Sequence, residues 1–332
     1  MTCGVDLFGN QIIEKNKLGD IFGVSPFSTL RANDGKWRAK KQQWLNIGIK
    51  SEVGRGATTY SFEGWINDKK AGGVKGMDTL KDTSIFDPVL CELMYRWFVP
   101  EHGKILDPFA GGSVRGIVAN KLGYEYQGID IRQEQIESNE EQAERICTDG
   151  TKPTWLVGDS DKVLDTLKGN EYDAIFTCPP YVGLEKYSNL EGDISNMEYN
   201  DFMFSLESIL RKCSKLLKYG GFMIVVVGEV RDKKGHYYGF VADTIKVMQR
   251  CKDLYYYNDA VLEQQLGSAA IRAIGNMKTK KLVKVHQNIL IFKKRKIIMA
   301  KQSGGNRNVG GGGLPQGSHF HKMNIDGIYH GM

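Results

Sequence analysis

Cys178-Pro179-Pro180-Tyr181 are the residues of this 332-residue chain with the most chemical meaning, and they follow the apolar run Ala174-Ile175-Phe176. The run reads as the end of a buried strand. Two successive prolines fix φ and remove two backbone donors, so the carbonyls there face something other than a strand neighbour. Tyr181 adds a flat face for stacking. A stiff corner with acceptors and an aromatic platform, at the C-terminal end of a strand, suits a planar ring that carries an exocyclic amine.

A second group is Asp107-Pro108-Phe109-Ala110-Gly111-Gly112-Ser113. Glycines at a strand-to-helix turn let the backbone approach a ligand closely. Taken alone, such a turn also fits a dinucleotide fold, or a tight turn with no ligand. Asp130 comes 23 residues after Asp107, in Gly128-Ile129-Asp130. An acid at that distance can accept hydrogen bonds from a ribose diol; the plain alternative is a cap on the next helix. Asp159 closes a third short run. Four strands in succession thus place a polar group at the C-terminal edge, where open α/β sheets bind ligands.

The elements that must hold these groups alternate in type. Strands are expected at 103–107, 126–131, 155–157, 172–177, 222–227, 254–262 and 288–292. Helices are expected after Thr83 or Ser84, at 115–122, 132–145, 163–167 and 240–250, and at 202–217 with a stop at Gly220-Gly221. This predicts an α/β fold: a seven-stranded, mostly parallel sheet with helices on both faces. Residues 1–82 read as an irregular basic segment in which Trp37, Trp44 and Trp65 alternate with Arg31, Lys36, Arg38, Lys40, Lys41, Lys50 and Arg55. That mixture fits nucleic-acid contact, or tryptophans anchoring the segment to the core; the two are compatible. The main domain is set at 83–298. Within it, 263–287 reads as an inserted basic loop with Arg272, Lys278, Lys280, Lys281, Lys284 and His286, either a nucleic-acid contact or a solvated connection. The glycine-rich stretch 299–332 reads as a disordered tail.

Net charge is +6, compatible with a polyanionic partner without requiring one. No apolar run approaches the ~20 residues of a membrane helix, and the first residues lack a basic-then-apolar leader pattern. The expectation is a cytoplasmic protein with no membrane partner. Six cysteines show no paired spacing, which argues against zinc and against a disulfide framework. Five read as buried small hydrophobes, and Cys178 stands apart by its position.

With these residues in view, the chain resembles the S-adenosylmethionine-dependent DNA amino-methyltransferases, over roughly residues 83–293. Residues 105–116 resemble that family's cofactor motif Asp-x-Phe-x-Gly-x-Gly. Residues 178–181 resemble its catalytic motif, in which Asp, Asn or Ser precedes Pro-Pro-Tyr. The chain is similar to the orphan methylases of phages and prophages. The resemblance implies a Rossmann-like methyltransferase fold, S-adenosylmethionine as cofactor, double-stranded DNA as partner and no metal. It implies methylation of the exocyclic amine of a flipped cytosine (N4) or adenine (N6). By resemblance, Cys178, Pro179, Pro180 and Tyr181 are catalytic. Asp87, Asp107, Phe109, Ala110, Gly111, Gly112, Ser113, Asp130, Ile131, Asp159 and Ser160 hold the cofactor, with Asp130 on the ribose and Asp159 at the adenine.

Two departures matter. Ser113 stands where the second motif glycine is expected, with Gly112 one place early. Cys178 stands where the family has Asp, Asn or Ser, and a neutral thiol is a weak acceptor. Cysteine is closest to serine, which tilts the target toward cytosine. The motifs leave no room between them for a recognition domain. Recognition then falls to the N-terminal ~80 residues, the Val182–Asn200 loop, or 263–287. Rival readings are an RNA or protein-glutamine methyltransferase, an inactive DNA-binding homologue, Cys178 as a nucleophile on cytosine carbon 6, and, weakest, a nicotinamide dehydrogenase.

Overall fold

Eight strands form one sheet: β1 (Thr29–Arg31), β2 (Lys104–Asp107), β3 (Glu125–Asp130), β4 (Thr154–Val157), β5 (Tyr172–Thr177), β6 (Leu217–Val227), β7 (Leu254–Glu263) and β8 (His286–Lys294). Their order is β1-β7-β8-β6-β5-β2-β3-β4. All pairs are parallel except those of β8, which runs antiparallel to β6 and β7. The computed structural model describes residues 18–50, 86–181, 188, 190, 192–264 and 269–296. All of these fall within the unit Met1–Ile297.

The central strands carry continuous apolar runs, 174–176 in β5, 222–227 in β6 and 289–292 in β8, because both faces are covered there. Successive side chains of a strand point to opposite faces. Ala174 and Phe176 of β5, Ile224 and Val226 of β6, and Ile289 and Ile291 of β8 enter one core. The alternate residues Ile175, Met223, Val225, Leu290 and Phe292 enter the other. The first core is closed by α2 (Gly35–Asn46), α3 (Pro88–Phe98), α4 (Val114–Lys121) and α5 (Gln133–Ile146), and the second by α6 (Ser160–Thr166), α7 (Tyr199–Leu216) and α8 (Phe240–Gln249). A short α1 (Leu18–Phe22) precedes β1, and α9 (Ala269–Met277) lies between β7 and β8.

The α/β architecture with helices on both faces is as expected, and four expectations need correction. The sheet has eight strands, not seven. The extra one is Thr29–Arg31, whose Leu30 is fully buried and whose register pairs Leu30 with Leu262 of β7. Three residues are too few to show a period of two. The N-terminal segment is therefore not irregular where it is described: it forms two helices and a strand. Trp37 and Trp44 act as anchors there, donating to Asp87 Oδ2 at 3.2 Å and to Glu92 Oε2 at 2.9 Å.

Gly220-Gly221 does not stop a helix, because α7 ends at Leu216 and β6 begins at Leu217. The pair lies inside β6 opposite a register shift in β5, and a Cβ on Gly221 would stand 2.6 Å from the Asp173 carbonyl. A close strand approach, not a helix end, is what requires glycine there. Finally, the segment 263–287 is not all loop, since it contains α9.

Cys3, Arg55, Trp65, Thr83, Ser84, residues 182–187 of the loop after β5, and 299–332 lie outside the described residues. Cys91, Cys147 and Cys213 are buried, whereas Cys251 and Cys178 are half-buried.

Candidate active site

The strand order β5-β2-β3-β4 sets four strand ends side by side, carrying Cys178, Asp107, Asp130 and Asp159 at or just beyond them. β2 and β5 are direct neighbours, with Leu106 paired to Ile175. The glycine turn and the proline corner therefore rise from adjacent strands.

Asp107 has no exposed surface and ties the two together from below. Its Oδ1 accepts from Thr177 Oγ1 at 2.7 Å and from the Phe109 N–H at 3.1 Å. Its Oδ2 accepts from Arg115 Nε at 2.5 Å and from the Tyr126 hydroxyl at 2.8 Å. Arg115 also donates to the carbonyls of Phe109 (2.6 Å) and Ala110 (2.8 Å), and its guanidinium lies 4.4 Å from the centre of the Phe86 ring. Burial works against the Arg115 charge, but Asp107 more than offsets it, so the guanidinium stays protonated. Cys178, one residue past Thr177, lies within the electrostatic reach of this cation. Asp107 thus shapes the turn and the corner without presenting itself at the mouth of either.

Gly111 has φ of +53°, and the space where its Cβ would stand is open. Its N–H donates to Asp130 Oδ2 at 3.0 Å, and its carbonyl accepts from Asn139 Nδ2 at 2.7 Å. Gly128 is required for a different reason: a Cβ there would stand 2.7 Å from both Ala110 Cβ and the Trp155 ring. Without it β3 could not lie against the turn. Asp130 also accepts from the Arg132 N–H at 2.9 Å. Burial pushes its carboxyl above the usual aspartate range, against the pull of the Arg132 and Gly111 donors. Two backbone bonds leave a carboxylate with acceptor capacity to spare.

Asp159 caps α6 by accepting from the Asp161 N–H, and Gly192 of the loop after β5 packs on it. Ser160 Oγ donates to the Pro108 carbonyl at 2.5 Å. Phe109, Gly111, Gly112 and Ile131 are partly exposed, whereas Ala110 and Ser113 are buried. The Ser113 hydroxyl has no hydrogen-bond partner among the described residues. Asp87 caps α3, accepting from the N–H groups of Val89 and Leu90, and pairs with Lys41 at 3.3 Å. Its neighbour Phe86 meets Phe176 edge-on at 5.7 Å, which brings that segment onto the end of β5.

Pro179 is buried, and Tyr181 is half-exposed. Tyr181 is held on two sides. Its hydroxyl accepts from Gln287 Nε2 at 3.0 Å, and its ring meets Phe240 edge-on at 6.3 Å. A Cβ on Gly228 would stand 3.3 Å from that hydroxyl, so the β6 end also passes close. Sequence reasoning missed Gln287, Gly228, Arg115 and Thr177. A signal existed for one of them: His286-Gln287-Asn288 is a polar opening to the apolar run Ile289–Phe292.

Residues 172–325 match the family model described as a DNA methylase. The match begins at the first residue of β5 and takes in the Cys178–Tyr181 corner, Gln287 and α9, but not the glycine turn. A tRNA (guanine(10)-N2)-dimethyltransferase of Pyrococcus abyssi is 37% identical over 79 residues, which is 24% of this chain and 23% of that relative. TrmN from Thermus thermophilus is similar at a TM-score of 0.42 and 16% identity, over 63% of this chain and 49% of that one. The magnesium protoporphyrin IX methyltransferase of Synechocystis PCC 6803, solved with bound SAM, is similar at a TM-score of 0.40 and 12% identity, over 63% of this chain and 79% of that one. The chain thus spans about a quarter of the curated relative and about half of TrmN. The residues of this edge fit S-adenosylmethionine. The turn at Gly111 is open where a side chain would stand, and Asp130 faces it with acceptors to spare. No helix of the described residues is long and apolar enough to cross a membrane.

Proposed function

We propose that this methylase transfers a methyl group from S-adenosylmethionine to the exocyclic amino nitrogen of a flipped base in duplex DNA, with cytosine N4 favoured over adenine N6. The observation that carries the reading is the adjacency of β2 and β5, locked by the Thr177–Asp107–Arg115 bridge. It sets a rigid acceptor corner beside a glycine turn suited to a nucleoside cofactor. Gly111, Asp130 and Asp159 would hold the cofactor, which when bound supplies an electrophilic methyl group. The chain's own part is to position the amine. Tyr181, fixed by Gln287 and Phe240, offers the stacking face, worth ~1–3 kcal/mol per base. This helps offset the few kcal/mol of extruding the base. Cys178 and the Pro179 carbonyl accept the amine hydrogens. Alignment of nitrogen with the methyl carbon is worth up to ~7–11 kcal/mol; transfer would release the cofactor as its neutral thioether, and the surplus amine proton would pass through the acceptors of the corner to solvent.

A second reading, methylation of RNA, is favoured by the similarity to the tRNA (guanine(10)-N2)-dimethyltransferase, whose target is also an exocyclic amine. Transfer of labelled methyl from S-adenosylmethionine to duplex DNA and to tRNA, side by side, tests both. The expected result is incorporation into DNA, on cytosine N4 after nucleoside digestion. Incorporation into tRNA alone would replace the first reading with the second. Tyr181→Ala is expected to lower turnover by at least ~10-fold, matching the loss of one stacking contact, while cofactor affinity by calorimetry stays nearly unchanged. An equal loss of cofactor binding would remove Tyr181 from the substrate side.

A further inference from the structure

The chain leaves the sheet at Glu263 and re-enters it at His286, both on the edge that carries the proline corner. Between them, residues 264–285 contain Arg272, Lys278, Lys280, Lys281 and Lys284 and no carboxylate. The segment is joined to the catalytic corner through Gln287, which donates to Tyr181.

Helix α9 has an inverted exposure. In a helix that serves the core, the apolar stripe faces inward. Here the only residue it buries is Ala269. Ile271, Ile274 and Met277, at spacings of three, share one side and stand in solvent, with Ile274 74% exposed; Leu282 beyond the helix is 76% exposed. Single exposed apolar residues need no explanation, but a stripe rimmed by cations marks a contact surface. Lys280 adopts a left-handed φ of 54°, an unfavoured conformation for a side chain of this kind, and the Lys281 N–H donates back to the Asn276 carbonyl at 3.0 Å. The chain is thereby folded back so that Lys281 lies against Gly235.

Gly235 belongs to the connection between β6 and α8, which brings Arg231, Lys233, Lys234 and His236 to the same place. Its acids are hydrogen-bonded within it: Asp232 accepts from the His236 N–H at 2.8 Å, and Glu229, which also lies within electrostatic reach of Lys284, accepts from the N–H groups of Phe240 and Val241. Arg231 lies 3.7 Å over the Tyr237 ring.

We propose that the β7–β8 connection is the DNA-reading element of this methylase, an inference that rests on the proposed function. Arg272, Lys278, Lys280 and Lys281 hold backbone phosphates, joined by Lys233 and Lys234. The stripe Ile271, Ile274 and Met277 enters the groove, where apolar side chains ease a base out of the stack. Charge complementarity selects the occupant. A run of cations with no interspersed acid suits a uniformly anionic duplex, whereas protein surfaces carry both signs.

Fluorescence anisotropy of a labelled DNA duplex, with the full chain across a salt series, tests this. All substituted residues are exposed, and circular dichroism melts confirm folding. Lys278→Gln with Lys280→Gln is expected to lower the slope of log affinity against log salt by about two, one for each lost phosphate contact, whatever the duplex sequence. Ile274→Ser is expected to leave that slope unchanged and reduce kcat/KM for methyl transfer by about tenfold, with cofactor affinity intact. An unchanged slope in the double variant overturns the proposal. So does an Ile274→Ser variant that methylates DNA normally but changes oligomeric state, which would assign the stripe to a second copy. A wild-type chain that methylates tRNA and not DNA fails the proposed function itself. A wild type that methylates DNA while the variants match it fails this inference alone.

Discussion

The two flanks of the proline corner are built in opposite ways. On the β2–β3–β4 flank every carboxylate singled out is already engaged by backbone donors: Asp107 with Phe109, Asp130 with Gly111 and Arg132, and Asp159 with Asp161. Gly111 has both its N–H and its carbonyl taken. On the β6–β7–β8 flank α9 and the Lys278–Lys281 turn stand exposed, and Gln287 is the bond to the corner described above. The first flank is fixed before any ligand arrives, as a site for a single small cofactor should be. The second leaves cations and apolar side chains in solvent, where the proposed duplex would dock.

The contrast predicts unequal damage. Arg115→Met should have the largest effect, because it strands the buried Asp107 charge; the expected loss is about 3–5 kcal/mol of stability in urea unfolding. Pairing it with Asp107→Asn should restore part of that loss, and a double variant no better than the sum of the two singles would show that the pair is not a unit. Asp130→Ala comes next. It orphans the Gly111 and Arg132 N–H groups at about 1–3 kcal/mol each if they stay buried, and should weaken cofactor binding before DNA binding, as read by calorimetry. Equal weakening of both would erase the distinction between the flanks.

The smallest effect lies outside both, at Glu92. Burial raises its carboxyl, but hydrogen bonds from Lys40 and Trp44 and the charges of Lys40 and Arg96 more than offset this and hold it below the usual glutamate range. A carboxyl lowered on folding stabilises at pH above its unfolded value, and that contribution is lost as pH falls through the folded one. Acid should therefore release the contact between α2 and α3 and change Trp44 emission, read against a Trp44→Phe variant, while the sheet stays folded. A change that coincides with global unfolding would show that this contact is not a separate unit.

Much of the fold was legible in the chain. β5 was placed to the residue and five other expected strands to within two residues, because apolar runs bounded by glycine and proline report local physics, whereas β6 begins five residues before its expected start. β1 was not legible, since three residues become a strand only where β7 leaves an unpaired edge. The α7–β6 junction was misread because Gly220-Gly221 signals a break without saying which kind. α9 was hidden because its stripe is short and its cations suggested a loop.

The candidate site divides the same way. The amino-acid order alone determined that a diproline corner and a glycine turn end two strands, and that Asp130 follows at the distance of a ribose acceptor. Those are properties of neighbouring residues, and backbone chemistry carries them wherever the chain goes. Only the tertiary structure decided that β2 and β5 lie side by side, that Thr177 and Arg115 meet on Asp107, and that Gln287 reaches Tyr181 across 106 residues of chain. Such contacts depend on strand order, which is set by packing two cores at once and has no local signature.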